Sequence, residues 1–153
     1  MTPVVLWFLY LENFAVGVPL FWFVAFTDAL DGSLARLRKL ITPWGTFYDP
    51  LADKIFIGLV VLLVVVKHVN FYFGALIVLI EVAIILGAFW KRRHGKIMSA
   101  NFFGKTKMFL QVLGVSFLLI ALSAGFDLFI PLSVATLSLA IVFAVISLFT
   151  YGL

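Results

Sequence analysis

Residues 27–54 read TDALDGSLARLRKLITPWGTFYDPLADK, and four acids punctuate them: Asp28, Asp31, Asp49 and Asp53. An apolar run leads into the first pair, from Phe14 to about Leu30, and another leaves the second, from about Pro50 to Val66. Apolar runs of this length read as helices, because open strands leave backbone groups unsatisfied in lipid. Asp28 and Asp31 stand three apart and Asp49 and Asp53 four apart, so on helices each pair projects from one face. Two helix ends thus offer four carboxylates. Without a cation they repel and raise one another's pKa. Mg²⁺ or Mn²⁺, which favour hard oxygen ligands, would neutralise them, and a divalent-metal site on Asp28, Asp31, Asp49 and Asp53 is the economical explanation.

The rest of the chain places that cluster at a membrane. Of 153 residues 65% are hydrophobic and only 12% charged, far from a soluble domain. Mean hydropathy is +1.23. A spanning helix needs roughly 20 apolar residues, which predicts five or six spans in a single domain over residues 1–153. Pro3 to Tyr10 is a stub too short to span, and further spans are expected at about Phe71 to Trp90, Met108 to Ser123 and Leu128 to Tyr151. No basic segment precedes a short apolar core and cleavage site, so no cleavable signal peptide is expected. Cysteine is absent, which excludes disulfides and thiolate chemistry.

Ten of the eleven Lys and Arg residues fall in or beside two loops on one side, Ser33 to Trp44 and Lys91 to Lys107. The net charge of +4 therefore speaks for orientation and anionic headgroups rather than nucleic acid. By the positive-inside tendency the face bearing the acids is cytoplasmic. Arg38, Lys39 and Lys96 serve equally well as plain topology signals. Arg92, Arg93, Lys105 and Lys107 lie close enough to that face to grip a phosphate on an acceptor.

Asp28, Gly32 and Arg36 share a stripe at spacing four, as do Gly45, Asp49 and Asp53. Glycine there lets a flat ligand approach the backbone. The competing reading is tight helix packing for Gly32 and Gly45 and a snorkelling role for Arg36.

The eight fixed positions Asp28, Asp31, Gly32, Ala35, Arg36, Gly45, Asp49 and Asp53 match D-x2-D-G-x2-A-R-x8-G-x3-D-x3-D, the signature of the CDP-alcohol phosphatidyltransferases. A chance match in a chain of this length is on the order of 10⁻⁸. The chain resembles that family, and its flanking residues are similar to the phosphatidylglycerophosphate synthase branch. Gly104-Lys105-Thr106-Lys107 followed by Gln111 is similar to a further stretch of the same branch, with Met108 in place of its usual threonine.

The resemblance implies an all-α bundle of six membrane helices, its first helix shortened here, acting as a homodimer in a prokaryotic cytoplasmic membrane. It implies transfer of a phosphatidyl group from CDP-diacylglycerol to a small alcohol, with release of CMP. Glycerol 3-phosphate is the first choice of acceptor, with inositol phosphate or a phospholipid headgroup alcohol as alternatives. Asp28, Gly32, Ala35, Arg36, Gly45 and Asp49 would bind the CDP-lipid. Asp28, Asp31 and Asp49 would hold one or two cations, and Asp53 would be general base and possible ligand. Where the branch carries Arg-Glu, an arginine expected to hold the acceptor's phosphate, this chain reads Ile80-Glu81. Glu81 can equally be an acid paired with a neighbouring helix for structure.

A small ion or proton transporter would also use intramembrane acids, but a conduction path scatters them across the membrane depth. Four of them gather here at one face beside Gly and Arg. A catalytically silent scaffold is disfavoured while all eight signature positions stand. His68, on the opposite side, and His94, in a loop, are not placed to act.

Overall fold

The computed structural model describes the backbone of residues 2–37, 45–93 and 102–152. Within them the side chains at 2, 28, 29, 31–37, 45–51, 91, 92 and 150–152 lie outside the description. Six α-helices and no strand occur among the described residues: α1 (Thr2–Tyr10), α2 (Phe14–Leu37), α3 (Gly45–His68), α4 (Phe71–Arg93), α5 (Phe102–Ala124) and α6 (Phe129–Gly152).

Local chemistry sets the turns. Glu12 takes a left-handed conformation (φ 57°) after α1. Asn70 caps α4, its side-chain oxygen accepting from the N–H groups of Tyr72 at 2.8 Å and Phe73 at 3.3 Å. Gly125 closes α5 at φ 70°, where a side chain would be strained, and its N–H bonds the Ala121 carbonyl at 2.9 Å. These tight turns make α3 and α4, and likewise α5 and α6, antiparallel neighbours.

The core is built around α3, whose Ile57, Val60, Val61, Val64 and Val65 recur at helical spacing and are all buried. Val5 and Leu9 of α1, Phe21 and Val24 of α2, and Leu118 and Leu119 of α5 close over that stripe. The short α1 thus packs into the bundle against α2 and α3. Outward stand large apolar side chains that water would not tolerate in such number, among them Trp7, Leu79, Leu86, Trp90 and Phe109.

Three helices among the described residues are long and apolar enough to cross a membrane: Phe71–Trp90, Phe102–Ala124 and Phe129–Phe149. Among the described side chains α2 adds the apolar stretch Phe14–Thr27, and the apolar run of α3, residues 55–66, lies between Lys54 and Lys67.

The helices also reach further than the charge pattern suggests. α2 continues to Leu37 through a segment expected to be loop from Ser33, because Ala35 and Leu37 are good helix formers. α3 starts at Gly45, so Pro50 falls in its second turn rather than its first, with the loss of one backbone donor. α5 starts at Phe102, six residues before the expected Met108, and carries Lys105 and Lys107 with it.

Candidate active site at the ends of α2 and α3

All eight signature positions lie on two helices, five on α2 and three on α3. Two ring contacts fix how these helices run. Phe14 meets His68 edge-on at 5.6 Å, and Phe21 meets Phe56 at 5.9 Å. The start of α2 therefore lies beside the end of α3, and the helices are antiparallel. Asp28 is seven residues beyond Phe21, and Asp49 is seven before Phe56. Each is about 10.5 Å of helix from the same ring contact. The two acid-bearing ends reach a common depth.

At the opposite end Glu12 pairs with Lys67, and His68 stands 3.8 Å from the same carboxylate oxygen. The Lys67 ammonium, hydrogen-bonded to Glu12 and attracting it, holds that carboxyl below its ordinary value. Neither histidine belongs to the acid-bearing end: His68 is fixed here, and His94 lies outside the described residues.

Because α2 is continuous past Leu30, Asp28 and Asp31 are one helical turn apart, and the same holds for Asp49 and Asp53 on α3. Thr27 does not interrupt α2, since its hydroxyl donates to the carbonyls of Phe23 and Val24 at 3.0 and 2.9 Å. Asp53 is half-buried. The side chains of Asp28, Asp31, Gly32, Ala35, Arg36, Gly45 and Asp49 lie outside the described residues, and only their helix positions enter here. Carboxylates are the hard oxygen donors that suit Mg²⁺ or Mn²⁺.

The four basic candidates separate. Arg93 is exposed at the last turn of α4, Lys105 is exposed in the first turn of α5, and the Arg92 side chain lies outside the described residues. Lys107 is only 1% exposed. It turns inward and pairs with Glu81 of α4, so it is not a loop charge at the face. Gln111, one turn on, donates to the same Glu81 oxygen at 2.7 Å. Of the two readings of Glu81, pairing with a neighbouring helix is the one observed.

A usable signal for this network lay in the helix period. Lys107 and Gln111 fall on one stripe with Gly114, Val115 and Leu118, all buried, and Glu81 lies between buried Ile77 and Ile84. Both charges occupy core positions of their helices.

Residues 1–149 match the sequence model of a family described as CDP-alcohol phosphatidyltransferase. Several curated proteins are similar, each named CDP-diacylglycerol–glycerol-3-phosphate 3-phosphatidyltransferase. One from Bacillus subtilis is 30% identical over 137 residues, 88% of this chain and 70% of its own length. One from Rickettsia felis is 30% identical over 122 residues, 77% of this chain and 67% of its own. One from Mycoplasma genitalium is 33% identical over 104 residues, 67% of this chain and 44% of its own.

Proposed function

The chain belongs to the CDP-alcohol phosphatidyltransferase family, and on that premise we propose that this membrane-embedded transferase moves the phosphatidyl group of CDP-diacylglycerol onto glycerol 3-phosphate and releases CMP. The observation that supports the proposal is that all eight signature positions fall on α2 and α3, helices that run antiparallel through the contact of Phe21 with Phe56. The choice of acceptor is supported by the names of the similar curated proteins.

In the reaction the acceptor hydroxyl oxygen bonds to the phosphorus that carries the diacylglycerol, and the bond from that phosphorus to the CMP oxygen breaks. Asp53 takes the hydroxyl proton. A divalent cation held by Asp28, Asp31 and Asp49 would neutralise charge on the pyrophosphate and on departing CMP. Gly32, Ala35 and Gly45 leave room for the nucleotide against the backbone, and Arg36 pairs with its phosphates. Transfer of this kind depends on positioning and charge stabilisation, and no covalent enzyme intermediate is needed.

Arg92, Arg93, Lys105 and Lys107 supply positive charge for the acceptor's phosphate. The alternation of the helices brings the end of α4 and the start of α5 to the side where α2 ends and α3 begins. That side, rich in Lys and Arg, faces the cytoplasm by the positive-inside tendency, and the working unit is a homodimer.

The test is a panel of acceptors, namely glycerol 3-phosphate, inositol phosphate, free inositol and serine. Each is given to the purified protein with CDP-diacylglycerol and scored by CMP release. Release with glycerol 3-phosphate above all others supports the proposal, and preference for another acceptor replaces that part of it.

A further inference from the structure

The network of Glu81, Lys107 and Gln111 has more polar chemistry than packing requires. Glu81 is 5%, Lys107 1% and Gln111 3% exposed, inside helices that cross the membrane. Both donors fall on Oε1 of Glu81, while Oε2 is equally buried and has no partner among the described residues. Beside it runs a narrow crevice between α4, α5 and α6, walled by Ile77, Ile80, Ala140 and Ala144. Ionised groups in hydrocarbon are costly. Apolar residues of similar volume in place of a buried ion pair are often neutral or stabilising. Stability alone therefore does not account for this pair.

Its location does. Lys107 is carried by α5, which packs against α3, and α3 carries Asp53, the base of the proposed reaction. The lysine stem is a flexible four-carbon chain, so a change of rotamer can bring its ammonium to another partner without moving the helix.

We propose that Glu81 is a positioning residue for the acceptor. With Gln111 it holds the Lys107 side chain in place inside the bundle and yields its ammonium to the acceptor's phosphate, while Glu81 itself touches no substrate. This rests on the reading under Proposed function that the acceptor carries a phosphate.

The test compares KM for CDP-diacylglycerol and for glycerol 3-phosphate in the wild-type full chain and in Glu81→Gln, Glu81→Asp, Lys107→Met and the double variant Glu81→Met with Lys107→Met. Melting of each in detergent is followed with and without glycerol 3-phosphate, and with glycerol as the control lacking phosphate. Glu81→Gln and Lys107→Met are expected to raise the acceptor KM about tenfold or more, the worth of one charge-assisted hydrogen bond, with the CDP-diacylglycerol KM unchanged. Glu81→Asp, which keeps the charge, should recover part of the loss. The double variant should melt like wild type yet keep the raised acceptor KM and lose stabilisation by glycerol 3-phosphate.

If the double variant instead returns to the wild-type acceptor KM, the pair is structural and the inference is overturned. An unchanged acceptor KM in Glu81→Gln, or an equal rise in both constants, overturns it too. Should Glu81→Gln fail to fold, Glu81→Asp and the double variant still decide between these results. A wild-type protein that releases no CMP with glycerol 3-phosphate removes the reading on which this rests, and active wild type beside indifferent variants removes the inference alone.

Discussion

The hydroxyl of Ser133 donates to the carbonyl of Gly114 at 2.7 Å, across the line where α5 and α6 touch. Ser133 is fully buried, so the bond satisfies a hydroxyl that has no water to turn to. It is possible only because Gly114 has no side chain. A Cβ there would stand 2.7 Å from Cγ of Leu137 and 2.8 Å from Oγ1 of Thr136.

Gly114→Val should therefore destabilise the protein by about 1–3 kcal/mol, the usual cost of overpacking. Gly58→Ala and Gly87→Ala, where nothing lies within 4 Å of the added carbon, should be neutral or should stabilise by up to about 1 kcal/mol through helix propensity. Unfolding in detergent measures all three. A tolerated Gly114→Val beside a damaging Gly58→Ala would refute the α5–α6 packing described above.

The clamp at the other end of the bundle should respond to pH. Glu12 has its pKa lowered by Lys67 in the folded protein, so its contribution is present above the unfolded carboxyl value of 4.5 and fades as pH falls through the lower folded value. Wild type should melt above Glu12→Gln at neutral pH by a small margin, as expected for an exposed pair, and the two should converge in acid. A gap that persists unchanged below the folded pKa contradicts the pairing.

Chelation tests the metal. EDTA should abolish CMP release, and added Mg²⁺ or Mn²⁺ should restore it. Asp28→Asn, Asp31→Asn and Asp49→Asn should each weaken the dependence on metal and depress turnover heavily. Full activity in chelator contradicts the cation, and wild-type turnover in any one variant removes that residue from the site.

Asp53 should separate from its neighbours. An amide there keeps the shape and still offers one oxygen, but it accepts no proton. Asp53→Asn should lower kcat by about 10²- to 10⁴-fold, with CDP-diacylglycerol affinity changed far less than in Asp28→Asn. Equal loss of lipid binding in both variants would make Asp53 a ligand and not the base.

Much of this is legible in the sequence. The acids at 28, 31, 49 and 53 show a helical spacing in the midst of apolar runs, and two ring contacts set their helices antiparallel. What the residue pattern hid was the behaviour of charge near helix ends. Lys105 and Lys107 read as loop residues by charge, yet α5 begins before them, and a difference of two positions turns Lys105 outward and Lys107 into the core. The partner of Lys107 lies 26 residues earlier. Such a pairing depends on which faces of α4 and α5 meet, and local periodicity alone does not fix that.

The central claim is the transfer itself, and the most direct measurement follows both products at once. Purified protein is given CDP-diacylglycerol, Mg²⁺ and glycerol 3-phosphate labelled in its glycerol carbons. CMP and lipid-extractable label are counted together. The account predicts one labelled lipid for each CMP, and none when CDP-diacylglycerol is left out. CMP formed without label entering lipid, or label entering lipid without CDP-diacylglycerol, would contradict it.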